Sequence, residues 1–324
     1  MSNRFNLTVD VYLRNSFDLI DRIKTSGIGG QTFKIANYAD MQSKGVDLSL
    51  EAVAYKSKDW SWRARVTAGY ARTEITSVDN LPTIFDMTKA EGANIQGYPV
   101  RGLFSVDYRG LNPKTGVPTF INENGEVSSD VYLQDQTTSY LKYEGPVDPP
   151  LTGGLNNAIA YKNFTVNIFL TGQAGNKIRL NPLYKGYNNS RSAYSDLDAM
   201  PKEFNDRWEM PGDEKITNMP AIPSMLRNQF LSGTYPYTTY NYSSQRVASG
   251  NFVRLKSVSL AYRFPLTTIQ KLGMSAASIQ ISTINPWLIY ADKKLKGQDP
   301  EFFNSGGVAQ PIQKQFTVAL KFTL

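Results

Sequence analysis

Along this chain apolar side chains recur at every second position over stretches of about 9–15 residues, the pattern of strands with one apolar and one polar face. Phe5, Leu7, Val9, Val11 and Leu13 fall on one face, and Asn6, Thr8, Asp10 and Tyr12 on the other. Val46 to Ala54 and Trp60 to Tyr70 repeat the pattern on either side of the polar turn Lys56-Ser57-Lys58-Asp59. Phe164 to Leu170, Val258 to Phe264 and Phe316 to Leu324 repeat it again. Two stretches are less regular: Leu151 to Tyr161 carries Asn157 among its apolar positions, and Ala276 to Tyr290 puts Ile284 on the polar side. The second also contains Pro286, which has no N–H for the ladder and predicts a bulge or strand end. The expected architecture is all-β, with about eight antiparallel strands longer than ordinary ones and close to the span of a tilted membrane strand.

The connections sharpen this. Short turns at Lys56–Asp59 and Lys162-Asn163, and a moderate one at Pro265–Ser275, alternate with long segments at Asn15–Met41, Thr73–Pro150, Asn176–Gly250 and Ala291–Ile312. Structureless loops beyond ~12–15 residues are uncommon in compact domains. Short–long alternation in an antiparallel sheet sends every long loop to one end, as in outer-membrane barrels. Trp60, Trp62, Tyr161, Phe164, Tyr262, Phe264 and Phe322 lie near short-turn ends, and Tyr12, Tyr70, Trp287 and Tyr290 near long-loop ends. Two interfacial girdles give this distribution; so does a β-sandwich with aromatic core ends. Arg63, Arg65 and Arg263 fall on the non-apolar face. Unpaired charge is costly to bury, so they are expected to face a wet lumen.

Composition removes whole classes of chemistry. The 324 residues include no Cys and no His, which excludes Ser-His-Asp and Cys-His catalysis, disulfides and Cys/His zinc sites. Apolar residues make up 41% and aromatics 12%, so disorder is not expected. The net charge of +7, from 35 basic and 28 acidic residues, is a thin excess. No run reaches the ~18 apolar residues of a membrane helix, and Met1 to Tyr12 lack the apolar core of a signal peptide.

Several stretches carry a family resemblance. They are Asn37 to Leu50, with Lys58-Asp59-Trp60-Ser61-Trp62; Gly97-Tyr98-Pro99-Val100, with Gly102-Leu103-Phe104-Ser105; and Gly110-Leu111-Asn112-Pro113-Lys114-Thr115-Gly116. After them come Pro149 to Asn157, Tyr161-Lys162-Asn163-Phe164 and Gly172 to Lys177. Asp206-Arg207-Trp208, Ser249 to Leu260 and Asp299-Pro300-Glu301 complete the set. In this order they resemble the C-terminal part of SusC/RagA-type TonB-dependent outer-membrane transporters, over nearly the whole chain. The resemblance implies that residues 1–324 are a segment of a roughly 22-stranded transmembrane barrel with long extracellular loops. Signal peptide, TonB-contacting segment and plug would lie outside it. It also implies an outer-membrane location, lipid contact, and uptake of glycans or oligopeptides with a SusD-like surface lipoprotein and the TonB complex. Catalysis, cofactor and nucleic acid have no part in it.

Tyr235-Pro236-Tyr237-Thr238-Thr239-Tyr240-Asn241-Tyr242 is the densest aromatic cluster. Its ring faces and hydroxyls suit sugars or peptide side chains. Arg207, Trp208, Tyr235, Tyr237, Tyr240 and Tyr242 are therefore substrate-binding candidates, against the alternative that they pack the loops together. Asn122-Glu123-Asn124-Gly125-Glu126 lacks ordered calcium-ligand spacing and reads as a hairpin turn; no metal site is expected. Asp299 with Glu301, and Asp206 with Glu209, read as solvated turn acids and not as glycosidase pairs. The alternative for the whole chain is a secreted carbohydrate-binding β-sandwich.

Overall fold

The computed structural model describes residues 4–25, 27–28, 30, 32–79, 82–131, 133, 138–184, 200–223, 235–302 and 313–323. Eight strands form one antiparallel sheet in chain order. They are β1 (Phe5–Lys24), β2 (Phe33–Lys56), β3 (Trp60–Val78), β4 (Leu151–Tyr161), β5 (Phe164–Ala174), β6 (Phe252–Arg263), β7 (Ala276–Ala291) and β8 (Gln315–Thr323). β1 and β8 are the edges, and they do not pair with each other among the described residues.

Register carries the alternation across the wall. Val9, Leu48, Ala68, Gly153, Gly172 and Val253 form one row on the apolar face. Among the described residues nothing else covers that face: Val11 is 76% exposed and Leu320 67%. In water such a surface would drive association; against lipid it needs no cover. At the short-turn end Trp60, Tyr161, Phe164 and Tyr262 lie in register. Ring centroids there are 4.4 Å apart for Trp60–Tyr161 and 4.6 Å for Phe164–Tyr262. Tyr70, Trp287 and Tyr290 stand exposed at the other end. Tyr12 does not join them. It lies on the polar face over Gly45, where a Cβ would overlap its ring.

One expectation about the strands changes and another is met. Most of the segment 15–41 is strand, with the turn confined to the residues between β1 and β2. A register shift between Ser16 and Leu19, with Asp18 at φ 54°, interrupts the alternation and hides the continuation. The bulge expected at Pro286 is present: pairing passes from Leu255↔Trp287 to Ser257↔Ile284, and Asn285 adopts φ 52°.

The long segments are also not structureless. The one after β3 forms helix α1 (Ile84–Thr88), capped by Thr83, and contributes Gly102–Ser105 paired with Lys142–Pro146. It also forms a small sheet of Tyr108–Leu111, Pro118–Ile121 and Val127–Ser128. The one after β5 forms helix α2 (Pro236–Asn241) and pairs Lys177–Arg179 with Val247–Ser249. The two build one core: Val106, Val117, Phe120 and Val131 from the first meet Leu183, Tyr184, Phe204, Met219, Tyr237 and Tyr240 from the second. Leu295, after β7, joins Ile178, Leu180 and Ala248. The result is a folded cap on the long-loop end of the wall. The remaining sheets have only two or three strands, so the two large stacked sheets of a sandwich are not formed among the described residues.

Candidate functional site in the outer loops

Close side-chain contacts between segments far apart in sequence hold the cap together. Gly116, at φ 67°, leaves room for the Trp208 ring, which a Cβ there would overlap. Trp208 also receives Ala221 against it, and its backbone N–H donates to Met219 O at 2.9 Å. Gly250 makes similar room for the Asn176 side chain, whose Nδ2 donates to Val147 O at 3.3 Å. Arg254, on β6, donates to Asp299 Oδ1 at 2.5 Å and Oδ2 at 2.6 Å, while its Nε lies 2.9 Å from Glu301 Oε2. Arg254 and Asp299 are both buried. Asp299 is therefore not the solvated turn acid expected: with Glu301 it clasps the loop after β7 to the wall.

A second buried arginine works without a carboxylate. Arg179 donates to Ser243 O at 3.0 Å, Phe104 O at 2.6 Å and Ser105 Oγ at 3.0 Å. Complete burial pushes its pKa down to about 9. It joins both long segments through their carbonyls. Arg179 did not stand out in the sequence, and Arg254 appeared there only within a family stretch, without its role; an arginine flanked by apolar residues was the available signal.

The aromatic candidates divide by exposure. Trp208 is 2% exposed, Tyr237 1% and Tyr240 2%, so they present no ring face to a ligand and belong to the packing of the cap. Burial raises the pKa of Tyr240 and of its neighbour Tyr108, and both hydroxyls donate to Asn218 O, at 3.0 and 3.2 Å. Tyr235 is exposed, whereas Tyr242 is half-buried, edge-on to Phe85 at 5.5 Å. Arg207 reaches a cleft of about 660 Å³ among the outer loops, which Tyr240 also borders.

That cleft is lined by Glu203, Asn205, Asp206, Arg207, Glu209, Asp213, the stretch Ile216 to Met219, Gln245, Arg246, Lys294 and Lys296, among others. Arg207 pairs with Glu209 at 2.5 Å and Arg246 with Glu203 at 2.6 Å. The backbone N–H groups of Met210 and Glu209 donate to Asp213 and hold its carboxyl below the usual carboxylate range. Asp206 and Glu209 both line this cleft, but Glu209 is committed to Arg207.

Arg63, Arg65 and Arg263 all lie on the polar face of the wall and are exposed. Arg65 pairs with Glu51 at 2.6 Å. The 122–126 segment is a hairpin turn, with Asn122 Oδ1 accepting from the N–H groups of Asn124 and Glu126. Among the described residues no group of three acids is placed to hold a metal.

An antiparallel wall with one bare apolar face, two aromatic girdles and a folded cap of loops at one end defines an outer-membrane β-sheet. No family model matches the chain, but curated proteins do. It is 22% identical to a TonB-dependent receptor of Formosa agariphila, over 92% of this chain and 29% of the relative. It is 23% identical to SusC, a TonB-dependent receptor of Bacteroides thetaiotaomicron, over 100% of this chain and 30% of the relative. The solved RagAB peptide transporter superposes with a TM-score of 0.76 at 23% identity, covering 99% of this chain and 33% of that chain. This chain is thus homologous over nearly its whole length to SusC/RagA-type TonB-dependent receptors, and spans about a third of the relatives it matches.

Proposed function

We propose that this chain is the barrel-wall and outer-loop portion of a TonB-dependent importer of glycans or oligopeptides, working with a SusD-like surface lipoprotein and the TonB complex. The observation that carries the reading is the two-faced wall, apolar and bare outside, polar inside, with one folded cap at its long-loop end. In this reading substrate is captured between the lipoprotein lid and the cap. It then passes the polar face, where Arg63, Arg65 and Arg263 line a wet lumen, when the plug moves under TonB. Arg207, Tyr235 and Tyr242 offer substrate contacts, while Trp208, Tyr237 and Tyr240 shape the surface from beneath. The chain holds and passes its cargo and does no bond chemistry.

Uptake of labelled oligosaccharides and peptides by cells carrying or lacking the full-length receptor tests this. The expected result is receptor-dependent accumulation that stops when the proton gradient is discharged. Recovery of this chain as a soluble, cooperatively folding monomer without detergent would overturn the reading in favour of the secreted sandwich.

A further inference from the structure

We infer that the cleft among the outer loops takes a short peptide with free termini; the inference rests on the import reading and names its substrate class. The cleft's charges are mostly committed. Arg207 and Arg246 are neutralised by Glu209 and Glu203, and the Lys294 ammonium donates to Val247 O at 3.1 Å. Asp213 accepts two backbone N–H groups. Lys296 and Asp206 remain, one cation and one anion, and neither side chain has a hydrogen bond or ion pair among the described residues. Beside them stand the side-chain amides of Asn205 and Gln245, which have no hydrogen bond among the described residues and are each able to donate and accept.

Those groups match a zwitterion with peptide units between its ends. A carboxylate pairs with the ammonium, an α-amino group with the carboxylate, and backbone N–H and C=O with the amides. The apolar part of the lining agrees. Ile216 is 85% exposed at the cleft and offers an aliphatic seat that an apolar peptide side chain covers more fully than a hydroxyl-rich sugar. Stacking on a ring, the contact a neutral oligosaccharide would use, is missing: Tyr240 is the one aromatic residue in the lining among the described residues, and it is buried with its hydroxyl already given to Asn218. A volume of about 660 Å³ lies within the range of ordinary small-ligand sites.

Calorimetric titration of the detergent-solubilised full-length receptor decides the matter, using Ala-Leu-Ala, its N-acetylated form, its C-amidated form and maltotriose. The free tripeptide is expected to bind, with each blocked end weakening it about tenfold, the loss of one charge-assisted hydrogen bond. Lys296→Ala should weaken the free peptide and abolish sensitivity to the amide; Asp206→Asn should do the same for the acetyl group. Both positions are exposed, so neither substitution disturbs the core of the cap. Equal binding of free and blocked peptides, no binding of any peptide, or maltotriose binding that depends on Lys296 and Asp206 would each overturn the inference. Gradient-dependent uptake measured in parallel separates the two readings: if it persists while the titration fails, import stands and the peptide cleft falls.

Discussion

The wall and the cap dispose of apolar surface in opposite ways. Along β1, Phe5, Leu7, Val9, Val11 and Leu13 are at least half exposed, whereas in the cap Val106 and Phe120 are wholly buried. The wall is held by ladder hydrogen bonds and cross-strand pairs, with lipid as its second layer. The cap is held by a core of the kind found in soluble domains, built from segments far apart in sequence. The same side chain therefore has a different energetic meaning in each region.

The largest expected contrast comes from truncating one residue in each. Tyr237→Ala empties a fully buried site and should destabilise the cap by about 3–5 kcal/mol, read as lost amide-exchange protection across both long loops. Val11→Ala should change the wall by under about 0.5 kcal/mol; a comparable loss there would mean that the apolar face is packed against protein. Arg254→Ala tests the join between the regions. Leaving Asp299 buried without its cation should cost about 3 kcal/mol and open the segment around Asp299 to protease while the wall stays protected.

A smaller effect is expected from Gly116→Ala. Its Cβ meets the Trp208 ring at a positive φ, so a loss of about 1–3 kcal/mol should appear with a shift in Trp208 fluorescence. The smallest is a pH effect. Because Asp213's carboxyl is held below its ordinary range by two N–H donors, its contribution is present above that range and disappears as pH falls through the lowered value. Protection factors of the Glu209 and Met210 amides, taken relative to their intrinsic exchange rates, should therefore fall in acid, and Asp213→Asn should remove that dependence without touching protection in β1–β8.

The wall was legible in the sequence because a strand with two different surroundings writes them at alternate positions. It became illegible where a bulge shifted the phase at Asp18, whereas the bulge at Asn285 was announced by Pro286. The cap was not legible in this way. Its aromatics at 235–242 look alike in sequence whether they face a ligand or a core, and their partners Phe120 and Tyr184 lie in other segments. The family stretches marked the right residues but not their roles: Gly116 is informative only once Trp208 is known to sit on it, and Arg254 only beside Asp299.

Those seams have a consequence for anyone building chimeras from these receptors. Gly116 with Trp208, Val147 with Asn176, and Arg254 with Asp299 tie three loops and one strand into a single inheritable part. A loop moved alone into a relative would bring one half of each seam and meet a stranger at the other. The transferable unit is the whole cap together with the outer end of β6, and specificity should travel only when that unit does.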